Sequence, residues 1–273
     1  MISGAMNNPH RDLIEEIYFV GESNFDFFEL TIEYPAATPK KINENKKKIL
    51  EALESYNLGL LAHLPWYFSL AYPYERIQNA TNKEIENALF IASHLGSKIV
   101  TIHPDLITPH SCQSRKKMFE RTLDTLKNIE KIANNFSLTL CLETVDEKAL
   151  NLEEYKKILT QTEIKITLDI GHAETYFREG AERLMEEFKN YIKHVHLHDG
   201  KKDIDHLPLG AGNIEIKKIL EKLKQFYDNT ITLEIHCSDP HYLQYSREFL
   251  EIFWYGRKQF EENKEYQYPD KES

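Results

Sequence analysis

The sequence predicts an α/β fold, a single-domain (β/α)8 TIM barrel, on three observations. Short β-branched apolar runs alternate with longer amphipathic segments, the pattern of repeated βα units and a parallel sheet. Metal-binding side chains stand at the carboxyl end of one run after another: LGLLAH ends on His63, KIVTIH on His103, LTLCLE on Glu143 and IKITLD on Asp169, while ITLEIH carries Glu234. A chain of 273 residues is close to the roughly 250 that such barrels use. Ligand types so far apart in sequence, each at the same place in its own strand, converge only if the sheet closes.

In chain order, strands are predicted at 2–6, 25–32, 58–63, 98–103, 138–143, 164–169, 194–198 and 231–236. Helices are predicted between and after them at 11–19, 41–56, 82–95, 115–134, 152–161, 178–191, 214–227 and 242–259. Asn82 precedes KEIENALFIASHLG, whose apolar residues at 85, 88, 89, 92 and 95 form one helical stripe closed by Gly96. Asn213 is placed to cap the helix near Ile214. No proline-rich linker divides residues 1–273, and only the tail, about 262–273, reads as frayed.

Strand parity sharpens the expectation. Thr139, Cys141 and Glu143 share one face of strand five, and Lys165, Thr167 and Asp169 one face of strand six. Thr232, Glu234 and His236 do the same in strand eight, and HVHLHD puts His194, His196 and His198 opposite Val195 and Leu197. The apolar faces belong against the helices, so the titratable faces point into the barrel. A buried row of charges costs several kcal/mol per ion unless compensated, and bound cations would compensate it.

Composition narrows the class. Hydrophobic residues are 41% and charged residues 29%, which suits a soluble globular chain, and no run nears the roughly 18 apolar residues of a membrane span. MISGAMNNPH has no signal-peptide pattern, and Cys112, Cys141 and Cys237 form no metal-finger or disulfide framework. The expected compartment is the cytoplasm, with thiols reduced. A net charge of −10, with lysines confined to KKINENKKK and a pair at 201–202, argues against a nucleic-acid backbone as partner.

Glu143, Asp169, His196 and Glu234 make a set of three carboxylates and one imidazole, suited to Mn2+, Mg2+, Co2+ or Fe2+, with Zn2+ also in range. Each alone reads as readily as an ion pair or a satisfied core histidine; four in register do not. His63 and His103, with Glu143 between them, read as a second metal site or as substrate-binding histidines. In the loop DGKKDIDHLPLGAGNIEI, Gly210 and Gly212 permit close backbone approach, though a GxG without a third spaced glycine is weak as a nucleotide fingerprint. His206, with His172 and Asp203 or Asp205, forms a third metal site or binds substrate hydroxyls; a solvated turn is the plain alternative for the aspartates. HLPWYFSLAYP sets Trp66, Tyr67, Phe68 and Tyr72 near the mouth, to stack on a substrate or to roof the barrel. Glu29 and Glu33 end strand two, and Glu33 and His198 are further candidate substrate contacts.

The motifs HLPW, TIHP, CLET, LDIGHA, HVHLHD, DHLPLGAGNI and TLEIH together resemble the xylose-isomerase-like barrel superfamily, over nearly the whole chain. That superfamily holds sugar (phosphate) isomerases and epimerases and endonuclease-IV-type apurinic endonucleases. The isomerase branch implies a divalent metal on Glu143, Asp169, His196 and Glu234, with His172 near the substrate and the two glutamates as acid–base partners. The endonuclease branch implies three zincs, on His63, His103 and Glu143, then on the same quartet, then on His172 and His206. Its third site also uses an aspartate where this chain has Ile204. The expectation is a cytoplasmic metal-dependent isomerase or epimerase of a small sugar, sugar phosphate or polyol, moving a proton through an enediolate. The alternative is a zinc phosphoesterase acting on abasic DNA, and a catalytically silent metal-binding barrel is a third class.

Overall fold

The computed structural model describes residues 1–104, 114–202, 204–236 and 239–256. Eight parallel strands close into a barrel: β1 (Ile2–Met6), β2 (Phe27–Thr31), β3 (Gly59–His63), β4 (Ile99–Ile102), β5 (Thr139–Glu143), β6 (Lys165–Asp169), β7 (Ile192–Leu197) and β10 (Thr230–Leu233), which pairs back onto β1. Around them run α1 (Leu13–Glu22), α2 (Pro39–Ser55), α3 (Glu75–His94), α4 (Arg115–Asn135), α5 (Leu152–Gln161), α6 (Ile170–Tyr176), α7 (Gly180–Phe188), α8 (Ile216–Leu223) and α9 (His241–Tyr255). The strands β8 (Asp199–Lys201) and β9 (Ile204–Leu207) form a separate antiparallel hairpin after β7.

Local signals explain the helix starts. Asp12 caps α1 by accepting the N–H groups of Ile14 and Glu15 at 2.9 and 3.1 Å. Asn151 and Glu154 exchange two 3.0 Å hydrogen bonds in a capping box that opens α5. Gly96, at φ +97°, turns the chain out of α3 as the sequence implies.

The barrel interior is layered. Phe27, Leu61, Ile99 and Cys141 form an apolar plug separate from the main core. Gly4 makes room for it, since a Cβ there would lie 2.2 Å from the Phe27 ring. Above the plug the interior turns polar: the Thr101 and Thr167 hydroxyls bond at 2.9 Å, and Glu29, His194 and Thr232 are completely buried. The opposite strand faces, including Leu140, Leu142, Ile166, Leu168, Val195 and Leu197, join the core formed with the helices. Apart from the apolar plug, parity in β5, β6, β7 and β10 is as the sequence predicts, with Glu143, Asp169, His196 and Thr232 opposite the residues that face the helices.

Four expected elements differ. Helix α3 begins at Glu75, seven residues before the 82–95 prediction (82 − 75), so Asn82 lies inside it. Gln78 ties the added turns down, accepting the Tyr72 N–H at 2.8 Å and donating to Asn82 Oδ1 at 2.9 Å. The predicted helix 178–191 is shorter, as α7, and is preceded by the unpredicted α6, which Asp169 caps through a 2.6 Å bond from the His172 N–H. Asn213 caps nothing: its N–H donates to the Gly200 carbonyl at 2.8 Å, and α8 starts at Ile216. The loop after β7 contains the hairpin, and the end of the helix predicted at 242–259, the tail 262–273, Asp203, Cys112 and Cys237 lie outside the described residues.

Candidate metal centre

Glu143 and Asp169 end β5 and β6, His196 lies in β7, and Glu234 follows β10. One ligand atom from each lies within 4.8 Å of all the others. His196 Nδ1 is 3.0 Å from Glu234 Oε2, 3.4 Å from Glu143 Oε1 and 4.0 Å from Asp169 Oδ2. These four atoms are buried and none has a hydrogen-bond partner. Three carboxylates converge here with only imidazoles beside them, His172 Nδ1 lying 3.3 Å from Asp169 Oδ2 and 3.5 Å from Glu143 Oε1, and their like charges repel strongly at low dielectric. A divalent cation would satisfy all four at once, and an oxygen-rich donor set with a single imidazole suits Mn2+, Mg2+, Co2+, Fe2+ or Zn2+.

His63 and His103 converge on the other oxygen of Glu143, at 3.1 and 2.8 Å from Oε2. His63 Nδ1 lies 2.8 Å from the Leu64 carbonyl and donates to it, so in the neutral ring the Nε2 lone pair faces the carboxylate. On the far side, His172, His198 and His206 bring ligand atoms within 4.8 Å of one another. Asp205 faces this group, 3.8 Å from His172 Nε2 and 4.0 Å from His206 Nε2, and accepts the Tyr176 hydroxyl at 2.7 Å. Ile204 is 58% exposed. His198 lies behind Asp169, its Nε2 3.2 Å from Oδ1, while its Nδ1 accepts the His206 N–H at 2.9 Å. Its ring is completely buried, and the Nε2 beside Asp169 makes no hydrogen bond.

Electrostatics agree with a site built around positive charge. Burial alone would raise the Glu143 carboxyl, but His103 and His196 override it and hold it well below the ordinary range. Glu234 is likewise held well below, with His206 and His196 overcoming burial. Burial would lower His172, yet Asp169 and Glu143 push it up to about 10. His206 moves the other way, to about 4, through burial and then the charges of His198, His236 and His172, against the opposing pull of Glu234.

A cavity of about 310 Å³ opens beside the quartet, lined by Glu33, His63, Trp66, His103, Glu234 and His236 together with Met6–His10 and Thr31. Glu33 is buried, and it accepts the Trp66 N–H at 3.3 Å. Burial first of all raises its carboxyl above the ordinary range, which suits hydrogen bonding to a hydroxyl. Trp66 itself is 53% exposed, a ring at the rim. The glycine loop is clasped by Asp199, whose carboxylate accepts the N–H groups of Gly200, Gly210, Gly212 and Ile214 at 2.8 to 3.1 Å. Gly210 and Gly212 thus serve the hairpin's own anchor, since a Cβ at Gly212 would lie 2.2 Å from Asp199 Oδ1.

Residues 17–253 match the family model described as xylose isomerase-like TIM barrel. The chain belongs to this family. An uncharacterized protein of Methanocaldococcus jannaschii is 30% identical over 228 residues, covering 79% of this chain and 76% of the relative. A probable endonuclease 4 of Thermosipho africanus is 28% identical over 228 residues, 73% of this chain and 78% of its own. The crystal structure of a D-tagatose 3-epimerase-like protein matches with a TM-score of 0.83 at 28% identity, over 96% of this chain and 99% of the other.

In this xylose isomerase-like barrel, one residue whose place the sequence does not reveal is Glu29. It sits below the quartet, its carboxylate 3.1 Å from His194 Nε2 and 3.2 Å from His196 Nε2. Parity applied to β2 turns it inward with Phe27 and Thr31. The phenylalanines on both faces of FDFFEL hide that periodicity.

Proposed function

We propose that the protein is a divalent-metal-dependent isomerase or epimerase acting on a small sugar or sugar phosphate. The observation that carries the reading is the convergence of four buried atoms without hydrogen bonds, one of them from Glu234, which lines a small cavity. A bound divalent cation would be held by Glu143, Asp169, His196 and Glu234, and supplies Lewis acidity that polarises a substrate carbonyl. Glu234 lines the cavity and accepts the proton from the carbon beside that carbonyl, whose C–H electron pair becomes the enediolate double bond. Glu143 is the partner carboxylate: it takes a proton from the imidazole of His103 or His172, 2.8 and 3.5 Å away, and gives it to the same carbon's opposite face or to its neighbour, while Glu234 passes the abstracted proton to water in the cavity. Glu33 and the imidazoles of His63 and His103 border the space that substrate hydroxyls would occupy, and the Trp66 ring covers its rim.

Similarity to a D-tagatose 3-epimerase-like protein supports this reading. The test is proton NMR of ketopentoses, ketohexoses and their phosphates incubated in D2O with the Mn2+-supplemented protein. Deuterium should enter beside the carbonyl, and Glu234→Gln should stop it. No exchange with any of these sugars would end the proposal.

A second reading, a zinc phosphoesterase on abasic DNA, is favoured by the histidine groups flanking the quartet and by the similarity to a probable endonuclease 4. The small cavity and the net charge of −10 weigh against it.

A further inference from the structure

Beneath the quartet lies a second group of buried titratable side chains, Glu29, His194 and His196, which by spacing alone could hold a metal of its own. Its hydrogen bonding says otherwise. Glu29 Oε2 accepts the Thr232 hydroxyl at 2.5 Å and lies 3.1 Å from His194 Nε2, and Oε1 lies 3.3 Å from His196 Nε2. His194 Nδ1 is in turn 2.8 Å from the Thr230 hydroxyl. Every polar side-chain atom of Glu29 and His194 is partnered, whereas the upper group leaves Glu143 Oε1, Asp169 Oδ2, His196 Nδ1 and Glu234 Oε2 without hydrogen bonds. The lower group is therefore satisfied by protons and the upper one is not.

His196 belongs to both. Its Nε2 points down to Glu29 and its Nδ1 points up among the three carboxylates. A neutral imidazole carries one proton, and the carboxylate that accepts it decides which nitrogen keeps the free lone pair. We propose that Glu29 is the positioning residue of the metal centre: it takes the Nε2–H of His196, fixes the ring, and presents the Nδ1 lone pair to the cation. A carboxylate behind a ligating imidazole also raises the basicity of the ligand nitrogen. Thr232 and His194 keep Glu29 aimed, so the support runs from β10 and β7 through β2 and back to β7. The inference rests on the metal reading of the quartet.

The experiment is Mn2+ titration of the full chain, wild type and Glu29→Gln, after chelation, with thermal unfolding of both metal-free proteins. Glutamine keeps the volume but offers one acceptor to three donors, and its amide N–H groups face His196 or His194. Affinity should fall about 10- to 100-fold, the usual loss for a partner of a ligating histidine. Equal affinity in Glu29→Gln overturns the role of Glu29 alone. Failure of the wild type to bind Mn2+ removes the metal reading, and Glu29's role with it. A second measurement does not depend on the variant folding: long-range 1H–15N spectra of the Zn2+-loaded wild type, labelled at histidine. These should show His196 protonated at Nε2 and zinc-bound at Nδ1; the reverse tautomer overturns the proposal.

Discussion

Gly171 lies flat against the His198 ring: a Cβ at position 171 would stand 2.1 Å from its Cε1 and 2.2 Å from its Nδ1. The contact joins the first turn of α6 to the buried imidazole behind Asp169, so the missing side chain sets how closely the helix and that ring approach. In most helices alanine in place of glycine is favourable by roughly 1 kcal/mol. Here Gly171→Ala should instead destabilise by about 1–3 kcal/mol, the usual cost of overpacking, and weaken metal binding by shifting Asp169. Urea unfolding checks the first effect and Mn2+ titration the second; a neutral or stabilising result would show that His198 can move aside.

In the proposed roles, Glu143→Gln and Glu234→Gln would each remove a charged ligand and an acid–base group while keeping the volume. Turnover of the sugar identified by deuterium exchange should drop by about 10²–10⁴ in each, the range for such groups, with far-UV circular dichroism unchanged. Activity within about tenfold of wild type would reject the assigned roles.

Removal of the metal should cost stability in proportion to its occupancy. At a free ion concentration about 100 times Kd, linkage gives roughly 2.7 kcal/mol. Thermal scans of chelated protein with increasing Mn2+ should show a rising midpoint, and Asp169→Asn should flatten the rise.

Much of this site is legible in the amino-acid sequence, because a strand's two-residue period is strict. Once Leu140, Leu142, Ile166 and Leu168 are assigned to the helix-facing side, Glu143 and Asp169 have only the interior left. Glu29 obeys the same rule, but Phe27 and Phe28 are apolar on both faces and mask it. The Asp199 clasp is illegible for a different reason. It depends on the path of residues 210–214 returning over β8, which no local periodicity encodes. The extra turns of α3 escape because their polar residues bond to the loop before them through Gln78 instead of forming an apolar stripe.

The metal-free protein should lose stability as pH rises above neutrality. In the folded chain His172 keeps its proton up to about 10, against 6.5 for the ordinary side chain. Between those values the folded state binds more protons than the unfolded one. The stabilisation is therefore fully present below 6.5 and is lost as pH rises through about 10. Urea midpoints of chelated protein should fall across that window, and His172→Gln should reduce the slope. A midpoint that rises with pH there would mean that the carboxylates around His172 do not hold its proton.

Two chemistries share these ligands, and abasic DNA separates them. Duplex DNA needs cationic contacts along its backbone, and affinity built on them falls steeply with salt. This chain carries a net charge of −10, and the cavity beside the quartet, about 310 Å³, sits at the small-ligand end of binding-site sizes. Binding to an abasic duplex at physiological salt should be weak, and incision should be absent with either Zn2+ or Mn2+. Metal-dependent cleavage 5′ to the abasic site, lost in Glu143→Gln, would promote the phosphoesterase and retire the isomerase. The flanking histidines make the comparison sharper. If incision occurs and needs His63, His103, His172 and His206 together, those side chains hold further zincs. If only sugar turnover responds to their replacement, with KM rising more than kcat falls, they contact substrate hydroxyls.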